Sequence, residues 1–423
     1  MPDFTFVHAA DIHLDSPLRG LYARDSELAH LFVQASRKAY SALIDAAIEA
    51  EARFLIIAGD LYDGDWKDYS TGQFFVRETA RLTRAGGRVF LIRGNHDATS
   101  EISRRLPLPE GVHELSVRSV QSIELAELET VIHGRGFAQR QVQDNVALEF
   151  PPARPGWFNI GVLHTSLTGR AGHNDYAPCS VDDLLRTGYQ YWALGHVHAR
   201  EVVHEDPPIV FPGNLQGRHI RETGPKGATL VTVENHRVAG LEALVLDAAR
   251  WEQVAIDVGG CTDETALHDA VRAQLTPVVA GCDGRPLAVR IRLHGATGLH
   301  AAMAAHREQF RQDLQAIAAE LAIDVLVEDV RLETAMPATA ALAVQLADLE
   351  DAFRTVLADP AFEQALREDL AAIRQKAPKE VLDLLEEDER GPDVKRLLAA
   401  ARDLVLARLE PEAGTGAETG DGA

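Results

Sequence analysis

The sequence predicts an α/β protein: a mixed sheet layered with helices, then a small α+β unit, then a helical C-terminal region. Three observations lead there. Apolar runs alternate with amphipathic stretches from Phe4 to Ile92, which implies parallel strands joined by right-handed crossovers. Five runs, Phe4 to Ala10, Phe54 to Ala58, Val89 to Ile92, Phe158 to Leu163 and Tyr191 to Leu194, each close on a polar residue or cluster. No run approaches the ~18 apolar residues of a membrane helix, and a chain 46% hydrophobic and 25% charged is ordinary for a globular protein.

Taken in order, the first strand leads into Asp11-Ile12-His13. A helix is expected from Ser26 to Glu51, where Leu28, Leu31, Phe32, Ala35, Tyr40, Leu43 and Ile44 lie near one stripe and Ser26 suits an N-cap. The second strand closes on Gly59-Asp60-Leu61-Tyr62-Asp63. A second helix, Thr71 to Arg84, is stopped by Gly86-Gly87, and the third strand closes on Gly94-Asn95-His96-Asp97. After Gly111 the pattern changes to short strands at Gln121 to Leu125, Glu129 to His133, Ile209 to Phe211, Ala228 to Glu234 and Val238 to Leu246, with Glu234-Asn235 as a hairpin tip. A new unit begins near Ala249: strand Glu252 to Val258, helix Glu264 to Leu275, strand Leu287 to Leu293, helix Leu299 to Leu321 and strand Asp324 to Glu333. Met336-Pro337 marks the next break. From Ala340 to Leu409 amphipathic spacing predicts helices, with turns at Lys376-Ala377-Pro378 and Gly391-Pro392, and the residues from Pro411 on have the composition of a disordered tail. The expected divisions are 1–248, 249–336, 337–410 and 411–423.

A chain of 423 residues suits two or three domains. Its net charge of −22 excludes bulk binding to a phosphate backbone; such contact must be local, helped by cations or supplied by a partner. Cys179, Cys261 and Cys282 are odd in number and lack metal-ligand spacing, and Met1-Pro2-Asp3-Phe4 lacks a basic leader region, so a reducing cytoplasm is expected.

Carboxyl ends of parallel strands converge on one crevice. Asp11 and His13 lie two apart, and so do His196 and His198; Asp60, Asn95 and His164 end three other runs. Each motif alone is weak. Together they offer oxygen and imidazole donors in the number that suits two divalent metals sharing a carboxylate, which is phosphoester-hydrolysis chemistry.

The ordered set D-x-H, G-D-x-x-D, G-N-H-D, His164 and G-H-x-H resembles the calcineurin-like metallophosphoesterases. The longer wording His8-Ala9-Ala10-Asp11-Ile12-His13-Leu14-Asp15-Ser16-Pro17, with Pro212-Gly213-Asn214-Leu215-Gln216-Gly217-Arg218-His219, is similar to the SbcD-type DNA repair exonucleases, in their YhaO-like branch. The resemblance covers residues 4–246; the later regions match in layout only. It implies an α/β/β/α layered domain with a capping domain. It places Asp11, His13 and His198 on one metal, Asn95, His164 and His196 on the other, and Asp60 between them. His96 corresponds to the histidine that serves the leaving oxygen, oriented by Asp97. The metals, manganese first and iron or zinc next, activate a water for attack on phosphorus. The resemblance also implies DNA as substrate, an SbcC-like or YhaN-like coiled-coil ATPase docked on residues 340–409, and a homodimer pairing near Ile102 and Leu106.

Other residues carry less. Asp63 reads as a supporting group or a helix cap. His8 and His133 read as structural. Arg218, His219 and Arg221 form a basic loop that either touches a phosphate backbone or is merely solvated. His173, His204, His236 and His268 show no partner in the sequence. Two other functions compete with the nuclease: a nucleotide or phosphoprotein phosphoesterase of the same fold, and a scaffold with a vestigial site. The intact donor set opposes the scaffold, and the long extension after Asp247 opposes the phosphatase.

Overall fold

The computed structural model describes residues 3–16, 26–63, 69–99, 108–168, 176–337, 351, 353–356, 359–376 and 401. In chain order the first elements are β1 (Phe4–Ala9), α1 (Ser26–Val33), α2 (Ala35–Glu49), β2 (Phe54–Ala58), α3 (Tyr69–Arg84), β3 (Arg88–Ile92) and β4 (Val112–Glu114). Then come β5 (Gln121–Leu125), β6 (Thr130–Arg135), β7 (Phe158–His164), α4 (Val181–Leu185), β8 (Tyr191–Gly195), β9 (Glu201–Glu205), β10 (Pro208–Phe211), β11 (Gly227–Glu234) and β12 (Arg237–Val245). The chain continues with β13 (Arg250–Asp257), α5 (Glu264–Ala280), β14 (Leu287–Ala296), α6 (His300–Ala305), α7 (Arg307–Leu321), β15 (Val325–Ala335) and α8 (Pro360–Lys376). It divides into two compact units at Trp251/Glu252.

The first unit has the two sheet layers that the family resemblance implies, where the apolar runs alone read as one mixed sheet. It holds two six-stranded sheets, ordered β12-β11-β1-β2-β3-β4 and β5-β6-β7-β8-β10-β9. Within each, the site-bearing strands are parallel: β1 with β2 and β2 with β3, and β7 with β8. The period of two along a strand explains the layering. Phe6, Phe54, Ile56, Phe90 and Ile92 face Phe158, Ile160, Tyr191 and Ala193 across the sandwich. The alternate residues Val7, Leu55, Ile57, Val89 and Leu91 pack under α2 and α3. On the far side, Leu163, Trp192 and Leu194 pack with Phe137, Phe150, Tyr176 and Leu184. Strands covered on both faces need not alternate polar and apolar residues, which is why they read as continuous apolar runs.

Helix α1 and helix α2 replace the single helix expected from Ser26 to Glu51; the break falls at Gln34, and nothing in the structure explains it. Strands β4 and β9 were not expected. Both are short and lie at sheet edges, where pattern is weakest. The second unit carries the three-stranded sheet β13-β14-β15, with Val254, Ile256, Val289, Ile291, Val325 and Val327 packed against Leu267, Val271, Leu314 and Ile317 of α5 and α7. Helix α5 runs past Leu275 to Ala280, with Pro277 in its last turn. Of the expected C-terminal helices α8 is described, with Lys376 as its last residue; residues 377–378 and 391–392 of the expected turns and the pairing residues Ile102 and Leu106 lie outside the described residues.

Candidate metal centre

The site-bearing turns are built on unusual backbone. Asp11, His13, Asp60 and His196 have φ of 50°, 46°, 52° and 100°. Left-handed conformations cost a non-glycine residue about 1–3 kcal/mol and gather at functional sites. Close approach is secured by small residues. A Cβ on Gly94 would lie 2.2 Å from Asp60 Oδ1, and one on Gly195 would lie 2.0 Å from the Ala58 carbonyl oxygen. Strand ends of both sheets therefore reach one place, with β1, β2 and β3 bringing Asp11, His13, Asp60 and Asn95, and β7 and β8 bringing His164, His196 and His198.

The seven residues form two clusters. In the first, His13 Nε2 lies 3.3 Å from His198 Nε2, which is 3.8 Å from Asp11 Oδ1. In the second, His164 Nε2 is 2.9 Å from Asn95 Oδ1, which is 3.3 Å from His196 Nδ1. Asp60 joins them. Its Oδ2 is 3.8 Å from His13 Nε2 and 3.4 Å from His164 Nε2, while its Oδ1 accepts a hydrogen bond from the His96 amide at 2.9 Å. Asp11 is anchored by the His196 amide at 2.9 Å, and His164 Nδ1 is 2.9 Å from the Ala58 carbonyl, which turns Nε2 toward the cluster.

Electrostatics fit divalent cations. Asp11, His13, Asp60 and His164 are buried. Burial pulls His164 down, but the Asp60 carboxylate beside it more than reverses this, to about 9. Burial pushes Asp60 up, and His164 and His13 bring it well below the usual carboxylate range. Two buried carboxylates thus draw positive charge inward, and the surrounding donors, imidazole nitrogens and an amide oxygen, suit manganese, iron or zinc.

The partner of His96 differs from expectation. His96 Nδ1 lies 2.6 Å from Asp63 Oδ1, and Ser16 Oγ donates to Asp63 Oδ2 at 2.5 Å. Asp97, expected to orient His96, instead accepts from the amides of Leu61, Tyr62 and Gly94 at 3.1, 2.9 and 3.1 Å. It ties two turns together and is buried, and burial together with Asp60 pushes its carboxyl up to about 6. Asp63 is therefore the carboxylate that supports the His96 ring.

Glu222 is the residue that sequence reasoning missed. Its Oε1 lies 2.6 Å from His198 Nδ1, and its Oε2 accepts from the Arg218 amide at 2.7 Å and from Asn214 Nδ2 at 2.9 Å. No strand ends on it, so the spacing that revealed the other residues is silent here. Two members of the basic loop are correspondingly tied to Glu222. Arg218 Nη2 is 3.2 Å and His219 Nε2 3.4 Å from Glu222 Oε1; Arg221 is exposed. His8 bonds Tyr191 and the Leu194 carbonyl, and His133 bonds Ser122 and Asn159, both as structural residues. His204 meets the Pro207 carbonyl and His236 pairs with Glu129; His173 lies outside the described residues.

Two stacked sheets whose strand ends carry two donor clusters around one shared carboxylate define a metal-dependent phosphoesterase. The calcineurin-like phosphoesterase family matches residues 4–200, and the middle domain of metallophosphoesterase YhaO matches residues 251–335. The uncharacterized metallophosphoesterase YhaO of Bacillus subtilis (strain 168) is 34% identical over 299 residues, 70% of this chain and 72% of that protein. The DNA double-strand break repair protein Mre11 of Sulfurisphaera tokodaii is 23% identical over 271 residues, 61% of this chain and 67% of that one. The chain belongs to the calcineurin-like metallophosphoesterases and is similar to YhaO and, more distantly, to the DNA double-strand break repair proteins Mre11.

Proposed function

We propose that the protein is a two-metal DNA phosphodiesterase that removes nucleotides from DNA ends in repair. The observation that carries the reading is the Asp60 carboxylate set between two donor clusters, with the His96–Asp63 pair beside it. Asp11, His13, His198 and Asp60 would hold one ion, and Asn95, His164, His196 and Asp60 the other. Bound there, the ions supply Lewis-acid stabilisation of a phosphoryl oxygen and a nucleophile at neutral pH. The chain's own work is placement. Asp63 fixes the ring of His96 through Nδ1, so that Nε2 can hold a proton for the leaving oxygen. The Mre11 relatives, whose names describe DNA double-strand break repair, support DNA as the substrate class.

The test is direct. Purified protein with Mn2+ is given linear single- and double-stranded DNA, mononucleotides and a phosphopeptide. Nucleotide release from DNA ends is expected, with no release in chelator. Hydrolysis confined to mononucleotides or the phosphopeptide would replace the nuclease by a phosphatase. The reading extends to a coiled-coil ATPase partner and to a homodimer, tested by co-purification with and without residues 340–423 and by light scattering.

A further inference from the structure

The phosphoesterase reading accounts for the two donor clusters and for His96. It leaves Arg218 and Glu222 without a part, although both side chains are largely enclosed, at 17% and 6% exposure. Their contacts form a continuous path. His198 Nδ1 lies 2.6 Å from Glu222 Oε1, Arg218 Nη2 is 3.2 Å from that oxygen, and Arg218 Nη1 is 3.7 Å from Asp63 Oδ2. Asp63 Oδ1 then meets His96 Nδ1 at 2.6 Å. One end of the path is a donor of the metal centre, and the other is the proton-holding imidazole.

We infer that Glu222 and Arg218 are positioning residues that hold His198 and His96 in register with one another. The inference rests on the phosphoesterase reading. Glu222 accepts the Nδ1 proton of His198, which leaves the Nε2 lone pair directed at Asp11 and His13. Arg218 spans the two carboxylates with separate nitrogens of one planar group, a task that the single ammonium of lysine does poorly. With its charge answered by Glu222 and Asp63, Arg218 is a poor reader of substrate phosphate, contrary to what its place in a basic loop suggests.

The experiment uses the full chain in two arms. In calorimetric titration of the metal-free protein with MnCl2, Glu222→Gln weakens one of the two binding steps by about 10–100-fold and leaves the other nearly unchanged, the usual cost of losing a carboxylate behind a ligand histidine. In the kinetic arm, kcat on bis(p-nitrophenyl) phosphate is measured at saturating Mn2+. Asp63→Asn and Glu222→Gln together cost less than the product of their separate effects, because they share Arg218. In an Arg218→Ala background the two effects multiply, and Arg218→Lys gives intermediate coupling. Unchanged Mn2+ binding by Glu222→Gln, or effects that multiply while Arg218 is present, would overturn the inference. Melting curves of the metal-free variants identify any that fail to fold; if Glu222→Gln is one, Glu222→Asp replaces it and must bind Mn2+ more tightly than Glu222→Ala. If the wild type hydrolyses neither this diester nor DNA, the activity reading falls alone, and the calorimetric arm still decides the role of Glu222.

Discussion

At His96 the neighbour in sequence and the neighbour in space are different carboxylates. Asp97 spends both oxygens on backbone amides, while Asp63 crosses from the preceding turn to the ring. Spacing cannot distinguish them, since both lie in polar clusters behind apolar strands. The distinction has consequences. His96→Ala should lower kcat by about 10²–10⁴-fold with Mn2+ binding retained, as expected of a general acid–base group. Asp63→Asn should lower kcat with little change in melting temperature, and Asp97→Asn should do the reverse. Loss of bound metal in His96→Ala, seen by metal analysis, would make it a ligand. Gly94→Ala forces a carbon against Asp60 Oδ1, so its Mn2+ affinity should fall as far as that of Asp60→Asn; an unchanged titration would show that the turn can relax. The seven donor residues were legible because each follows a buried strand. Glu222 was not, because no strand ends on it and it meets the donor cluster from behind His198.

At the level of elements, the strands β1, β2, β3, β7 and β8 were legible as apolar runs, but their division between two sheets was legible through the family resemblance and not from the runs themselves. Alternation tells which residues share a face and is silent about which sheet a strand joins. Phe6 and Phe54 stack with centroids 4.9 Å apart in the layer between the sheets. Phe6→Ala should therefore cost about 3–5 kcal/mol, read from urea unfolding midpoints. Beside them His8 is buried, and burial holds it down at about 3, outweighing its bond to the Leu194 carbonyl. In the unfolded chain the same ring titrates near 6.5. Between those values the unfolded state binds the extra proton, so this contribution is complete above about pH 6.5 and is lost as pH falls toward 3. His8→Gln should give a flatter acid limb of stability between pH 6.5 and 4 than the wild type, whatever its stability at pH 8. Parallel limbs would remove His8 as the cause.

For the whole molecule, charge and metal act together. The −22 balance includes the buried carboxylates that the cations would offset. Because the donors converge only in the folded first unit, Mn2+ at about 100 times its dissociation constant should stabilise that unit by about 2.7 kcal/mol, and a chelator should remove the gain. A melting temperature indifferent to Mn2+ and chelator would contradict a preformed centre. No helix among the described residues is long and apolar enough to cross a membrane.

The long reach between His13 and His198, 185 residues apart in the chain, also bears on biosynthesis. Strand β1 finds β2 early, but its other edge pairs with β11, and the first donor cluster lacks a member until His198 has been made. At a ribosomal pace of about 5–20 residues per second, that interval is on the order of 10–40 s. During it the nascent chain carries an open strand edge, the kind that invites chaperone binding or mispairing. It also carries no complete hydrolytic centre. A ribosome-bound fragment ending before His196 thus lacks a donor in each cluster, and neither cluster is complete until the sandwich can close.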